Sequence, residues 1–327
     1  VDCVSAEEIE FALLQGWSPS EIVFAGSGKT YFEIEYALQQ NVGVIHCESL
    51  QEWEIIQEIR TNTGSNTQIA LRINPDLKVE THAKISTGEK HHKFGMGFHE
   101  ALEIIAMDSS IIGFHFHIGS QILDMQYFES LSLTVRNLLD TLPESFSLQY
   151  LNLGGGLGID YDQPERNPIP DFEGWMSALR TQLPISYIST IHIEPGRSIV
   201  GQCGTIVGTV QYLKHLDAQP LAILDVGMNA LMRPALYGAR HQVTAQSDQL
   251  IRVNYTVSGP SCESSDTFGD NFLLPVLKRG DQLIIHSTGA YAASMSLNYN
   301  LRRPLESQFI EEEVKTSFKK RALAEVA

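Results

Sequence analysis

From its first residues to about residue 200, the chain alternates short apolar, β-branched runs with amphipathic stretches. The apolar runs fall at residues 2–4, 22–25, 43–47, 69–74, 112–118, 148–153 and 190–194, with helical patterns such as 6–15, 31–40, 50–60 and 127–139 between them. Strand–helix alternation implies a parallel sheet. Strands that read as unbroken apolar runs imply helices over the sheet. Seven strands are present where a closed (β/α)₈ barrel takes eight. The expectation is therefore an α/β fold: a TIM-type barrel over residues 1–201 lacking its first βα unit.

After about residue 200 the pattern changes. Segments 204–213, 221–228, 242–246, 250–260 and 281–291 are strand-like, with Gly, Pro and Asp turns between them and no long helical pattern. This predicts a β-rich second domain over residues 202–327, antiparallel or mixed. The charged stretch 311–327 reads as a terminal helix or a loose tail.

Charge narrows the function. The net charge is −16 and no Lys/Arg run is present, so nucleic-acid binding has no electrostatic support. No apolar run approaches the length of a membrane span. The four cysteines, Cys3, Cys47, Cys203 and Cys262, are far apart and form no CxxC pair. They read as reduced thiols of a cytoplasmic protein rather than a disulfide framework or zinc site.

One stretch imitates a nucleotide-binding loop. "IVFAGSGKT" (22–30) ends like a Walker A motif, but Val23 stands where the loop's first glycine is required. The better reading is a strand, a tight turn and a helix.

Chemistry in a barrel gathers at the C-terminal strand ends. Three strands here end in "HFHIGSQ", "NLGGGLGI" and "HIEPGRS". The glycines Gly154 to Gly158 let backbone N–H groups approach an anion. Glu194 and Arg197 put a carboxylate and a guanidinium three residues apart, and Arg197 beside the glycines suits phosphate. His115 and His117 share one strand face. They admit two readings: a metal pair completed by His192 or His91, or an imidazole packed flat on an aromatic cofactor ring. In the second domain, "MRPALYG" (232–238), "GPSCESSD" (259–266) and "TGAYAASMSLNYN" (288–300) are unusual for plain β structure. Cys262 beside Glu263 after a Gly-Pro turn fits a loop better than a core.

These blocks, with "FAGSGKT" and "THAKISTGEKHHKFGM" before them, resemble in order the pyridoxal-phosphate-dependent decarboxylases of the alanine-racemase-like barrel class, and within it the diaminopimelate decarboxylases. The resemblance covers nearly the whole chain. It implies a barrel plus a β domain, a head-to-tail homodimer with shared active sites, and pyridoxal 5′-phosphate as cofactor. The implied reaction is decarboxylation of meso-diaminopimelate to L-lysine and CO₂, a step of lysine biosynthesis.

Residue by residue, the resemblance has His117 stacking on the pyridoxal ring. Ser120, Gly154, Gly155, Gly156, Gly196, Arg197 and Tyr291 lie at the cofactor phosphate, and Glu194 keeps the pyridine nitrogen protonated. Cys262 enters the partner's site as proton donor. Arg197, Arg233, Tyr237 and Tyr291 meet the substrate, whose carboxylates are taken by the first three, and Glu263 takes the distal ammonium. No metal is implied. Glu263 with Arg233 favours a distal centre bearing both charges, so diaminopimelate over ornithine. The alternatives are an ornithine- or carboxynorspermidine-type decarboxylase and a non-catalytic, cofactor-binding homologue or regulatory partner.

The family's Schiff-base lysine lies in a first-strand segment like "YAxKAN", which has no counterpart in these residues. Lys29 matches a different family lysine. The expectation is a fragment of a longer polypeptide or an inactive copy.

Overall fold

The computed structural model describes residues 1–77, 93–183, 188, 190–216, 219–247 and 249–310. His91 and the charged stretch 311–327 lie outside them. All seven expected strands of the first half form: β1 (Asp2–Cys3), β2 (Val23–Phe24), β3 (Val44–Cys47), β4 (Gln68–Arg72), β5 (Ile111–His115), β6 (Tyr150–Asn152) and β7 (Ile191–His192). They lie in chain order, each parallel to the next, in one curled sheet. β1 and β7 are its two edges, so the curl is a half-barrel and not a closed ring.

Helices α1 (Ala6–Leu14), α2 (Tyr31–Gln40), α3 (Leu50–Thr63), α4 (Phe98–Met107), α5 (Gln126–Leu139) and α6 (Phe172–Arg180) connect these strands. Side-chain oxygens set their starts. Ser5, Thr30 and Ser49 accept from the backbone N–H of Glu8, Glu33 and Glu52. Each satisfies a donor that the first helical turn leaves free. Thr30 therefore belongs to a helix cap, which disposes of the nucleotide-loop reading of "GSGKT". Asn41 and Gly64, both left-handed, end α2 and α3.

Strand alternation sorts the residues to two faces. Ile45, Leu71, Phe114 and Leu151 point outward into the main core beneath the helices, with Trp175 and Phe128. Val44, Ala70, Ile112 and Tyr150 form a small inner cluster.

The second sheet has β8 (Ile206–Lys214), β9 (Leu221–Leu224), β10 (Val243–Ala245), β11 (Arg252–Ser258), β12 (Thr267–Pro275) and β13 (Gln282–Ile285), in the order β10-β13-β8-β9-β11-β12. Its pairs are antiparallel apart from β9 with β11. β12 is not legible as a strand, because Gly269, Asp270 and Asn271 in its middle read as a turn. Gly269 (φ +128°) and Asn271 (φ +58°) do adopt turn-like backbone, and register shifts in the β11–β12 pairing absorb them. Two short helices, α7 (Arg197–Val200) and α8 (Arg233–Tyr237), carry the arginines singled out above.

Candidate active site

Strand register builds the site in tiers. His46 pairs with Ala70, Ala70 with Gly113, and Gly113 with Tyr150. The two middle positions are small. A Cβ on Gly113 would stand 1.8 Å from the Tyr150 carbonyl oxygen. Across that gap His46 Nε2 meets the Tyr150 hydroxyl at 2.9 Å. One tier higher, Arg72 pairs with His115, His115 with Asn152, and Asn152 with His192. Arg72 is neutralised by Glu48. His115 stacks on His46 at 3.9 Å between ring centroids.

Glu194 caps this ladder just past β7. Asn152 Nδ2 donates to its Oε1 at 2.8 Å. His115 Nε2 lies 3.2 Å from Oε1, and His117 Nδ1 lies 3.5 Å from Oε2. Burial alone raises such a carboxyl, but the two imidazoles hold Glu194 well below the ordinary range. His115 and His46 are pulled down chiefly by burial. Glu194 is thus an anion on the inner wall, with the Asn152 amide donating to it and the two imidazoles beside it.

The glycine turn sits against the same strand end. Asn152 Oδ1 accepts from Gly154 N, and His117 Nδ1 accepts from Gly155 N. A Cβ on Gly154 would lie 2.3 Å from the Phe116 carbonyl oxygen, on Gly155 2.1 Å from that of Glu194, and on Gly156 2.6 Å from that of Gly119. Gly154 (φ +70°) and Gly156 (φ +106°) also need left-handed backbone.

Beyond the turn lies a cationic end. Arg197 donates from Nη2 to Ser120 Oγ at 2.9 Å and from Nη1 to the Tyr161 hydroxyl at 2.5 Å. The Tyr291 ring lies 4.6 Å from its Cζ. Arg233 stacks 4.2 Å over the Tyr161 ring and reaches His241 Nε2 at 2.7 Å. Burial pulls its guanidinium down to about 10, with Tyr161 opposing and Arg197 adding to the shift, and Tyr237 is among the groups acting on it. Both arginines are buried, and neither forms an ion pair among the described residues. Tyr291 (φ +60°) is held in left-handed backbone, a strained conformation for a tyrosine.

The structure therefore gathers His117, Ser120, Gly154, Gly155, Gly156, Glu194, Gly196, Arg197, Arg233, Tyr237 and Tyr291 around one region. It shows no such contact for Cys262 and Glu263. They are exposed, and bind the turn beyond them through Asn300 Oδ1 and the Tyr299 hydroxyl. Lys29 is buried and immobilised, donating to Gly26 O, His46 O and Glu52 Oε1.

A metal could find His46, His115 and Glu194, whose ligand atoms lie within 4.8 Å of one another. The third ligand suggested by sequence, His192, packs instead on Tyr150 at 4.4 Å. Lys29 and Arg72 both act on His46 as positive charges. Asn152 already occupies Glu194 Oε1, so the cluster suits a cationic ring N–H better than a dication.

Asn152, Tyr161 and His241 were not singled out by sequence. Asn152 was findable, since it follows Tyr150 by two on the inner face. Tyr161 and His241 carry no local signal.

Residues 1–201 match the profile of the pyridoxal-dependent decarboxylases, pyridoxal-binding domain, and the chain belongs to that family. The family carries pyridoxal phosphate and its members are carboxy-lyases. The donor set fits that cofactor: a glycine turn that no Cβ could enter, two guanidiniums without carboxylate partners among the described residues, and a carboxylate anion.

Among similar proteins are the diaminopimelate decarboxylases of Bacteroides thetaiotaomicron, 41% identical over 92% of this chain and 80% of that protein, and of Helicobacter pylori, 38% identical over 99% and 82%. The solved Helicobacter pylori enzyme complexed with L-lysine superposes with a TM-score of 0.82 at 38% identity, over 92% of this chain and 76% of that one. The solved diaminopimelate decarboxylase from M. jannaschii, also with L-lysine, gives a TM-score of 0.84 at 33% identity, over 93% of this chain and 73% of that one.

Gly155→Ala is expected to weaken pyridoxal phosphate binding at least about tenfold. The new methyl meets backbone, which must move the glycine turn away from the Glu194 strand end. A fluorescence titration of the folded variant measures this.

Proposed function

We propose that this chain decarboxylates meso-diaminopimelate to L-lysine and CO₂ with pyridoxal 5′-phosphate, in the cytoplasm and as a homodimer with shared sites. The observation that carries the substrate is Arg233: a buried guanidinium beside Arg197 with no ion-pair partner. A buried charge without a counter-ion is costly, and a substrate carboxylate removes that cost. Ornithine, with only an ammonium at its far end, leaves Arg233 without such a role.

When bound, the cofactor supplies the sink for the electron pair left as the substrate's Cα–carboxylate bond breaks. Glu194 keeps a proton on the ring nitrogen. His117 lies against the ring. Ser120, Gly154, Gly155, Gly156, Gly196, Arg197 and Tyr291 hold the phosphate. Arg197 also meets a substrate carboxylate, as do Arg233 and Tyr237. Tyr291 faces the substrate beside Arg197. Cys262 and Glu263, exposed on their loop, serve the site of a second protomer. There Cys262 Sγ returns a proton to the carbon that has lost CO₂, and Glu263 takes the distal ammonium. No helix among the described residues is long and apolar enough to cross a membrane.

Arg233→Ala is expected to weaken meso-diaminopimelate binding to the cofactor-loaded chain by roughly two to three and a half powers of ten. Breaking a buried pair costs about 3–5 kcal/mol, at about 1.4 kcal/mol per decade. Cadaverine, which keeps the distal ammonium but carries no carboxylate, is expected to change less than about threefold. Calorimetry with both ligands decides it, and equal losses remove Arg233 from this role.

We also infer that Lys29 forms no covalent link to the cofactor. Lys29 is the buried lysine among those described, and three acceptors occupy its Nζ. Borohydride reduction followed by peptide mass mapping is expected to leave Lys29 unmodified. A gain of one cofactor on Lys29 overturns the inference.

A further inference from the structure

Arg233 is held by a side chain that the reaction does not use. His241 lies fully buried just before β10, eight residues beyond Arg233. Its Nδ1 is 2.9 Å from the His286 carbonyl oxygen. A carbonyl can only accept, so Nδ1 carries the hydrogen. Nε2 is then a bare lone pair, and Arg233 Nη1 donates into it at 2.7 Å. The Tyr161 ring closes the cage, 4.7 Å from the His241 ring and 4.2 Å from Arg233 Cζ.

The segment around His241 is itself pinned. Gln242 N donates to Tyr161 O, and His286 N donates to Gln242 O. The loop after the glycine turn and the second sheet thus meet at this imidazole. Burial, aided by Arg233 and Arg197, pulls His241 down to about 4, so it stays an acceptor at neutral pH.

The cage engages one edge of the guanidinium. Nη1 is taken, while Nε has no hydrogen-bond partner and no bond from Nη2 is present among the described residues. Nε and Nη2 point to the same side, the side-on fork that matches a carboxylate with two parallel hydrogen bonds.

We propose that His241 is the positioning residue for Arg233: as the Nδ1-protonated tautomer it fixes Nη1 against Tyr161, and so presents the Nε/Nη2 edge to one carboxylate of the substrate. This rests on the diaminopimelate reading above and assigns the residue that enforces its specificity.

The test uses the cofactor-loaded chain, with meso-diaminopimelate and cadaverine, a diamine without carboxylates, as calorimetric probes and ¹⁵N NMR of the histidine rings. Wild type is expected to show the Nδ1-protonated tautomer at His241 and to bind diaminopimelate more tightly than cadaverine. His241→Ala is expected to weaken diaminopimelate binding about tenfold while leaving cadaverine nearly unchanged. His241→Gln, which keeps an acceptor for Nη1, restores most of the loss. An Nε2-protonated tautomer, equal losses on both ligands, no loss at all, or no rescue by Gln each overturns the proposal. If Arg233→Ala also fails to separate the two ligands, or wild type binds neither, it is the diaminopimelate reading that falls. If Arg233→Ala separates them and His241→Ala does not, the reading stands and His241 is structural. Should His241→Ala not fold, the wild-type tautomer and the Gln variant still decide.

Discussion

The hold on Glu194 is the interaction from which the rest of the site follows. Two strand ends converge on one carboxylate, with Asn152 from β6 and His115 and His117 at and just past the end of β5. Burial works against the anion, and these neighbours more than offset it. They reach it because of what lies beneath. Ala70 and Gly113 leave the inside of the half-barrel open enough for His46 and Tyr150 to bond across it. Asn152 then serves two masters, with its amide N–H on Glu194 and its carbonyl on Gly154 N. The carboxylate and the glycine turn are therefore fixed relative to each other by a single side chain.

The other pole of the site is positive and incomplete. Arg197 and Arg233 lie on either face of the problem that Tyr161 solves, keeping two guanidiniums close without a carboxylate between them. Arg197 comes from the helix after β7, and Arg233 from the helix after β9. The pole therefore forms only when both sheets are in place. An anionic group on one side and an anion-seeking cluster on the other define a ligand with a cationic ring and more than one negative group. Pyridoxal phosphate with a dicarboxylic amino acid has that charge pattern.

Much of this was legible in sequence for physical reasons. Parallel strands covered by helices are apolar on both faces, so 43–47 and 112–118 stand out, and glycine-rich strand ends mark where backbone must approach a ligand. β12 was hidden because Asn271 and Gly269 carry the local chemistry of a turn while sitting inside a ladder. Tyr161 and His241 were hidden for another reason. Tyr161 meets Arg197 across 36 residues and His241 meets His286 across 45, and no local pattern encodes those contacts. Cys262 and Glu263 were named from resemblance, and they bond to Asn300 and Tyr299, 38 and 36 residues further on.

The central claim is that Glu194 exists to keep a proton on a pyridine nitrogen. The direct measurement is ¹⁵N NMR of pyridoxal phosphate labelled at the ring nitrogen and bound to the chain, across neutral to alkaline pH. The account predicts a protonated, pyridinium-type shift persisting to pH values at which the free cofactor has lost that proton, and its loss in Glu194→Gln. A neutral-pyridine shift in the wild-type complex would contradict it.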